Sequence, residues 1–300
     1  MPYYIYTAGQ LLKASQIVND GTMPSAHFVL AADIDYFDNE WTPIGSGVKY
    51  TGIFDGNGHK VSNLKVTTYN ETANLQGVGF FGKTSATIKN LGIENISVIV
   101  QPKWGSGVGG MVGYANGGSV TNCYVKDATV SYNASGTTVF VGGFVGKTDS
   151  GASFANNYVY NSKVCNRLSF PTGGFVGNNG ATNCSYTNCF AAGITVDPTI
   201  SDWTQRARTI YGFGYADDAT KMPATVTNCY STLASSQGGQ DSPTYTNTKD
   251  IGRVDANYTL PIAGATKATI VDAFSNVVDE DSNRIFKTDS EINNGYPCFV

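Results

Sequence analysis

The chain has 300 residues, only 14% of them charged, and a formal net charge of −4. The 12% of aromatic residues argue against intrinsic disorder, and the small net charge argues against nucleic acid as the main partner. No apolar run is long enough to cross a membrane as a helix, and two histidines are too few for a histidine-rich metal site. We therefore expect an ordered protein with no nucleic-acid partner and no membrane insertion.

The N-terminal residues lack the basic and continuous apolar segments of a signal peptide. Either such a segment has been removed, or the protein reaches the outside without one, as virion proteins do. Residues 7–10 then have the pattern of a helix capping box, with Thr7 as N-cap and Gln10 at the third helical position. A short helix that ends near Asp20 is predicted within an N-terminal cap at residues 1–45.

An acidic group follows this helix, formed by Asp33, Asp35, Asp38 and Glu40. Asp33 and Asp35 flank Ile34, so in a strand both carboxylates lie on one face. Calcium favours several carboxylate and carbonyl oxygens, which makes Asp33, Asp35 and Asp38 candidate calcium ligands. The alternative is an ordinary solvated face that binds no cofactor.

A repeat dominates the middle of the chain. A glycine, two apolar residues and a second glycine recur at residues 79–82, 110–113, 143–146 and 174–177, with a shortened copy at 212–214. An asparagine followed by an apolar residue comes after each copy, and then another short apolar segment. Each repeat thus holds three strand-like runs, none long or periodic enough for a helix.

Short strands that recur at a nearly constant interval favour a solenoid over a sandwich. The predicted fold is an all-β, parallel β-solenoid forming one domain over residues 1–300, with repeated coils at 46–233 and irregular C-terminal coils and cap at 234–300. A short helix is predicted near residues 268–278. Stacked coils place equivalent residues in ladders, and the predicted structural ladder is Asn63, Asn90, Asn122, Asn157, Asn188 and Asn228.

These repeat motifs resemble the GLUG repeats of bacterial surface and adhesin-like proteins. The segments at residues 41–45, 54–64 and 293–297 resemble the first coil and the closing motif of the same proteins. The resemblance implies a right-handed parallel β-helix of the pectate-lyase-like type in an extracellular or cell-surface protein. Some IgA-cleaving metallopeptidases carry such repeats, but this sequence has no HExxH zinc motif, so their activity is not carried over.

Six cysteines are present, three of which, Cys123, Cys189 and Cys229, follow the repeated asparagine. An even number of cysteines in a secreted chain is typical of disulfides. Recurrence at one repeat position instead favours small buried side chains, so we expect free thiols.

The remaining candidates for chemistry lie in irregular segments. Asp217 and Asp218, with Arg206 and Arg208 nearby, are the best candidates for catalysis, because paired carboxylates hydrolyse glycosidic bonds. Adjacent carboxylates point to opposite sides of an extended chain, however, which weakens the pair. Four aromatic residues are candidates for binding a glycan or a protein, because aromatic rings anchor such ligands: Trp104, Trp203, Tyr211 and Tyr215.

Three functions fit these observations. The first is a non-catalytic, surface-displayed scaffold that recognises a glycan or a cell-surface protein. The second is a phage virion fibre or decoration protein that binds a host surface, for which exposed coil edges would allow self-association. The third is a polysaccharide lyase or glycoside hydrolase of the β-helix type, which rests on fold analogy.

Overall fold

The computed structural model of the chain describes residues 1–67, 77–100, 106–132, 139–166, 172–196, 209–216, 221, 223, 225–233, 236–237 and 264–300. The chain forms a β-solenoid built from stacked parallel sheets. Two α-helices lie in the described part of the chain, α1 (Ala8–Asn19) and α2 (Lys267–Phe274). The all-β solenoid predicted from the repeat is confirmed.

The strands are short and follow the repeat. In chain order they are β1 (Tyr3–Ile5), β2 (His27–Leu30), β3 (Ile34–Glu40), β4 (Ile53–Asp55), β5 (Lys60–Val66), β6 (Gly77–Val78), β7 (Phe81–Thr84), β8 (Thr87–Lys89), β9 (Gly92–Val100), β10 (Ser106–Gly109), β11 (Val112–Asn116), β12 (Ser119–Thr121), β13 (Tyr124–Lys126), β14 (Thr129–Tyr132), β15 (Val139–Gly142), β16 (Val145–Asp149), β17 (Ser153–Tyr160), β18 (Lys163–Asn166), β19 (Thr172–Gly173), β20 (Val176–Asn179), β21 (Ser185–Ala192), β22 (Thr195–Val196), β23 (Thr209–Tyr211), β24 (Gly214–Ala216), β25 (Thr225–Thr227), β26 (Tyr230–Ser231), β27 (Ser236–Gln237), β28 (Phe286–Thr288) and β29 (Pro297–Phe299).

Three sheets run along the solenoid, and equivalent strands of successive coils pair in parallel. One sheet has the order β6-β10-β15-β19-β23, and a second has the order β7-β11-β16-β20-β24. In the largest sheet, the column β1-β2-β4-β8-β12 continues into β17, β21 and β25. Coil stacking therefore begins with β1 and β2, ahead of the first glycine motif. A strand can stack on the next coil without that motif, because stacking needs only apolar residues that face the interior.

Both apolar residues of the glycine motif face the interior. Phe80, Phe81, Phe144 and Val145 are all buried. The rings of Phe144 and Phe175 stack with centroids 4.7 Å apart, and those of Phe175 and Phe213 are 5.1 Å apart. Phe144, Phe175 and Phe213 thus form an aromatic stack along the axis, and Met111 occupies the equivalent position in the coil between Phe80 and Phe144.

The glycines of the motif allow two sheets to touch backbone to backbone. A Cβ atom on Gly113 in β11 would lie 1.9 Å from the amide nitrogen of Val78 in β6. A Cβ atom on Gly146 in β16 would lie 2.1 Å from the amide nitrogen of Val108 in β10. Glycine is required here because of the close approach of two strands, and not because of a positive φ.

The N-terminal helix has the predicted cap, because the Thr7 side chain accepts a hydrogen bond from the amide of Gln10. Leu11, Ala14, Ser15 and Val18 form its buried face. Ser15 Oγ donates a 2.7 Å hydrogen bond to the carbonyl of Thr42, which ties α1 to the first coil.

The described C-terminal residues lie along the side of the solenoid. The sequence predicts irregular C-terminal coils and a cap at 234–300. In the described part of that segment, α2 and the β28–β29 hairpin cover outward-facing rings of several coils. Phe274 packs on Phe190, with ring centroids 4.9 Å apart, and Phe299 packs on Tyr158 at 5.3 Å. We call residues 264–300 the C-terminal arm. The outward aromatic residues decide its position, since they form a second hydrophobic cluster beside the main core.

Candidate functional site

An asparagine ladder runs along a bend within the largest sheet, between the column of β8 and β12 and the column of β9 and β13. Side-chain amides of successive coils donate to one another in the order Asn228, Asn188, Asn156, Asn122 and Asn90, over distances of 2.9–3.2 Å. Asn90 then donates to Asp55 Oδ1 at 3.1 Å. All five asparagines have a positive φ, so each also forms the turn of its own coil.

Two members of the predicted ladder belong elsewhere. The prediction of Asn157 as a ladder member is wrong by one residue. Asn156 has the positive φ and makes the ladder bonds, whereas Asn157 points inward and is buried. Its side chain accepts from the amide of Cys123 at 2.9 Å and donates to the carbonyl of Val120 at 2.8 Å. Asn157 pairs in register with Cys189, so an asparagine fills the cysteine position of this coil.

Asn63 belongs to a second polar ladder at another bend. It donates to Asp35 at 2.9 Å and accepts from Asn95 at 2.7 Å. Asn161 donates to Asp127 at 2.6 Å on the continuation of the same bend. The dipeptide Asn63-Leu64 has the same sequence pattern as the ladder motif, but strand register places it at the next bend along the coil.

A polar face adjoins the first ladder. In the first three residues of β8, β12, β17, β21 and β25, the middle residue is buried and its two neighbours face outward. The outward column next to the ladder holds Lys89, Thr121, Ala155, Thr187 and Thr227 in register. Together with the adjoining ladder, the face is therefore a charge-poor array of hydroxyl and amide groups.

The C-terminal arm and this polar face enclose a groove of about 1260 Å³. Its floor contains Asn90, Thr121, Asn122, Ala155, Asn156, Thr187 and Asn188. The arm contributes the facing wall, which contains Val278, Asp279, Glu280, Arg284, Ile292 and Phe299. The rings of Tyr124 and Tyr158 stack 5.1 Å apart and lie between the floor and the arm.

Three of the six charged side chains that line the groove, Lys60, Glu94 and Asp279, are held by protein partners. Glu94 Oε2 lies 2.8 Å from Lys60 Nζ, and Glu94 Oε1 accepts a 2.9 Å hydrogen bond from the Tyr124 hydroxyl. Burial, reinforced by the charge of Glu94, raises the pKa of Tyr124 far above its ordinary value, so the phenol remains a donor. Asp279 accepts from the amides of Asp281 and Asn283, which lowers the pKa of Asp279.

Two of the three candidate calcium ligands, Asp33 and Asp35, bind protein groups. Asp33 Oδ1 lies 3.0 Å from His59 Nδ1 and accepts from the amide of Lys60. Asp35 accepts from Asn63 and from the amide of Phe37, and these bonds lower its pKa. Asp38 has a positive φ in the same strand region. Across the described ranges, no three His, Cys, Asp or Glu side chains are placed to hold a metal ion. Calcium binding here stays a prediction.

The other candidate residues fall mainly outside the described residues. These are Trp104, Trp203, Arg206, Arg208, Asp217 and Asp218. Tyr211 lies in β23. Tyr215 lies in β24, and its half-buried ring stacks on Phe140 with centroids 6.3 Å apart. The groove was not predicted from the sequence, although the repeated asparagine and the alternating hydroxyl residues were its visible signals.

The six cysteines are free and buried. Burial raises the pKa of the Cys123 thiol to about 12, and its Sγ donates to the carbonyl of Thr121. Burial likewise raises the pKa of Cys229 well above its ordinary value. The Cys123 and Cys229 thiols are core side chains and remain protonated at neutral pH.

Comparison with known proteins finds two similar proteins. No family model matches the sequence. Halomucin from Haloquadratum walsbyi is 34% identical over 154 residues, which is 48% of this chain but 2% of halomucin. A solved structure described as a putative immunoglobulin A1 protease from Bacteroides ovatus has a TM-score of 0.42 and 22% identity, covering 73% of this chain and 84% of that one. No helix in the described ranges is long and apolar enough to span a membrane.

Proposed function

We propose that this chain is a non-catalytic scaffold, displayed at a cell surface or outside the cell, that recognises a glycan through the groove. The observation that carries the proposal is the groove itself, whose floor repeats amide and hydroxyl groups from coil to coil. Such groups match the donors and acceptors of sugar hydroxyls. The similarity of half of the chain to halomucin, named as a mucin, supports a role outside the cell.

We also propose that the repeats are of the GLUG type. The support is the order of motifs, a glycine motif followed by an asparagine motif in each coil. Both motifs have a structural role, because the glycines allow backbone contact and the asparagines link the turns. This proposal concerns the scaffold and leaves the ligand open.

Binding is favoured over catalysis by the state of two of the three groove carboxylates, Glu94 and Asp279. Glycoside hydrolysis needs one carboxylic acid and one carboxylate on either side of the scissile bond. Both oxygens of Glu94 already bind Lys60 and Tyr124, and Asp279 is held by amides of its own loop. The polysaccharide-degrading alternative depends on Asp217 and Asp218, and the virion alternative on self-assembly, so both enter the test.

A glycan array with two matched variants tests the proposal. Ala155→Arg fills the middle of the groove floor, whereas Ser153→Arg adds the same side chain to the same strand and face outside the groove. We expect the parent chain and Ser153→Arg to bind the same glycans, and Ala155→Arg to lose at least tenfold in affinity, about 1.4 kcal/mol.

Four outcomes would overturn it. They are no bound glycan, equal binding by both variants, capture of a cell-surface protein alone, or cleavage of the bound polymer into shorter chains. A chain that forms trimers or filaments by light scattering and binds no glycan would favour the virion alternative.

A further inference from the structure

We infer that the ligand of the groove is an unbranched, uncharged polysaccharide segment that lies parallel to the solenoid axis across successive coils. The inference rests on the proposed function and deepens it, since it specifies the chemistry and the orientation of the glycan. Three features of the groove carry it: the spacing of its polar groups, their direction and its charge balance.

The first feature is the set of hydrogen-bonding groups left over by the asparagine ladder. Asn122 donates one N–H to Asn90 and accepts one from Asn156, and Asn156 and Asn188 make the equivalent bonds. A side-chain amide has two N–H groups and two oxygen lone pairs. Each half-buried amide therefore keeps one donor and one acceptor, the pair that vicinal sugar hydroxyls require.

The second feature is the direction of this array. Stacked coils are about 4.8 Å apart, so the span from Asn90 to Asn188 is about 14 Å. Thr121 and Thr187 lie beside the ladder, and Ala155 between them leaves room at the centre. A polymer aligned with the axis meets a ladder amide at every coil, whereas one that crosses the axis meets the amide of one coil.

The third feature is the balance of charge. The side chains that line the groove include three cations, Lys60, Lys126 and Arg284, and three carboxylates, Glu94, Asp279 and Glu280. Glu94 has partners on both oxygens. A groove with equal numbers of opposite charges offers an anionic polymer no net attraction, whereas an uncharged polymer avoids the cost of desolvating charges.

Isothermal titration with defined oligosaccharides tests the inference. The probes are soluble neutral linear glucans, mannans and xylans, from disaccharide to octasaccharide, together with their carboxymethylated and sulfated forms. For at least one neutral series, we expect affinity to rise at least tenfold with chain length, then to level off once the oligomer spans the groove. Raising the salt from about 0.05 M to about 0.5 M should change the affinity less than twofold, because no net charge is screened.

A second pair of variants probes the floor without filling it. Thr121→Val and Thr187→Val each remove one hydroxyl at nearly constant volume, and each should weaken the long oligomers by about threefold, with a smaller effect on disaccharides. Ser153→Arg serves again as the control outside the groove.

The outcomes separate this inference from the proposed function. Tighter binding of carboxymethylated or sulfated chains, with strong salt dependence, would overturn the neutral ligand while leaving glycan binding intact. Equal affinity for disaccharide and octasaccharide would overturn the axial orientation. Absence of binding to every glycan, charged or neutral, would remove the proposed function itself.

Discussion

The side-chain amide of Asn188 donates a 2.9 Å hydrogen bond to the side-chain oxygen of Asn156, and both residues have a positive φ. One residue type thus satisfies two demands at each coil, a left-handed turn and a bond to the next coil. Asparagine is suited to both, because its short amide tolerates this region and carries donors as well as acceptors.

Replacing Asn156 with alanine should therefore remove two ladder bonds and strain the turn. We expect a loss of about 2–3 kcal/mol in the free energy of unfolding, measured by urea denaturation. Asn156→Gly removes the same bonds without the strain and should lose about 1 kcal/mol less. Asn183→Ala, at an exposed position, is the control and should change little. Equal stability of all three variants would contradict the role of the ladder.

The backbone contact at Gly113 predicts a severe effect of a single methyl group. In Gly113→Ala the new Cβ would meet backbone atoms of β6 at 1.9–2.3 Å, and backbone cannot move aside as a flexible side chain can. We expect a loss of more than about 4 kcal/mol or failure to fold, measured by circular dichroism and urea denaturation.

The control for this variant is Gly9→Ala in the first turn of α1, where the nearest atom lies 4.0 Å from the new Cβ. It should be neutral or slightly stabilising. A Gly113→Ala variant as stable as Gly9→Ala would show that the two sheets separate easily.

The C-terminal arm should detach without unfolding the solenoid. Phe274 contacts Phe190 and Phe286, with ring centroids 4.9 and 5.0 Å apart, in a cluster separate from the main core. Phe274→Ala should destabilise the arm by about 3 kcal/mol. In hydrogen exchange, amides of residues 264–300 should exchange faster while those of β11 and β16 keep their rates. Uniform acceleration throughout the chain would show that arm and coils unfold together.

Cys123 should make stability fall at alkaline pH. Its folded pKa is about 12 against an ordinary value of 9.0, so above pH 9 the unfolded chain releases this proton more readily than the folded chain. The contribution of this pKa difference to the free energy of unfolding is fully present below pH 9. It is lost as the pH rises, by roughly 1.4 kcal/mol per pH unit between the unfolded and the folded pKa.

The measurement compares the parent chain with Cys123→Ala, using urea denaturation at about pH 8 and about pH 10.5. The parent should lose about 2 kcal/mol more than the variant over this interval, even though the variant starts from a lower stability. Equal losses would show that the thiol ionises in the folded protein. The native thiol should also resist alkylation at about pH 8, because the thiolate is the nucleophile.

The sequence by itself determined the solenoid. The recurrence of glycine, apolar and asparagine positions at a nearly constant interval is a local property, and stacking turns it directly into ladders. The N-terminal helix was equally predictable, because the Thr7 cap and the apolar spacing of α1 depend only on neighbouring residues.

Only the tertiary structure decided which asparagine joins which ladder. Asn156 and Asn157 are adjacent and chemically identical, and register with Cys189 places Asn157 in the core and Asn156 in the turn. Asn63 looks like a ladder residue in sequence but bonds to Asp35 and Asn95 at another bend. A one-residue difference in strand register reverses the side to which a residue points, and register is set by contacts between distant residues.

The groove also required the fold, because its two walls come from distant parts of the chain. Its floor belongs to the repeat and was visible as a pattern, but the arm carries no repeat and is positioned by ring contacts such as Phe299 with Tyr158. Low charge and a repeated glycine motif marked an unusual scaffold in the sequence. That the same scaffold presents a polar groove follows from side-by-side packing of the arm, which no local pattern encodes.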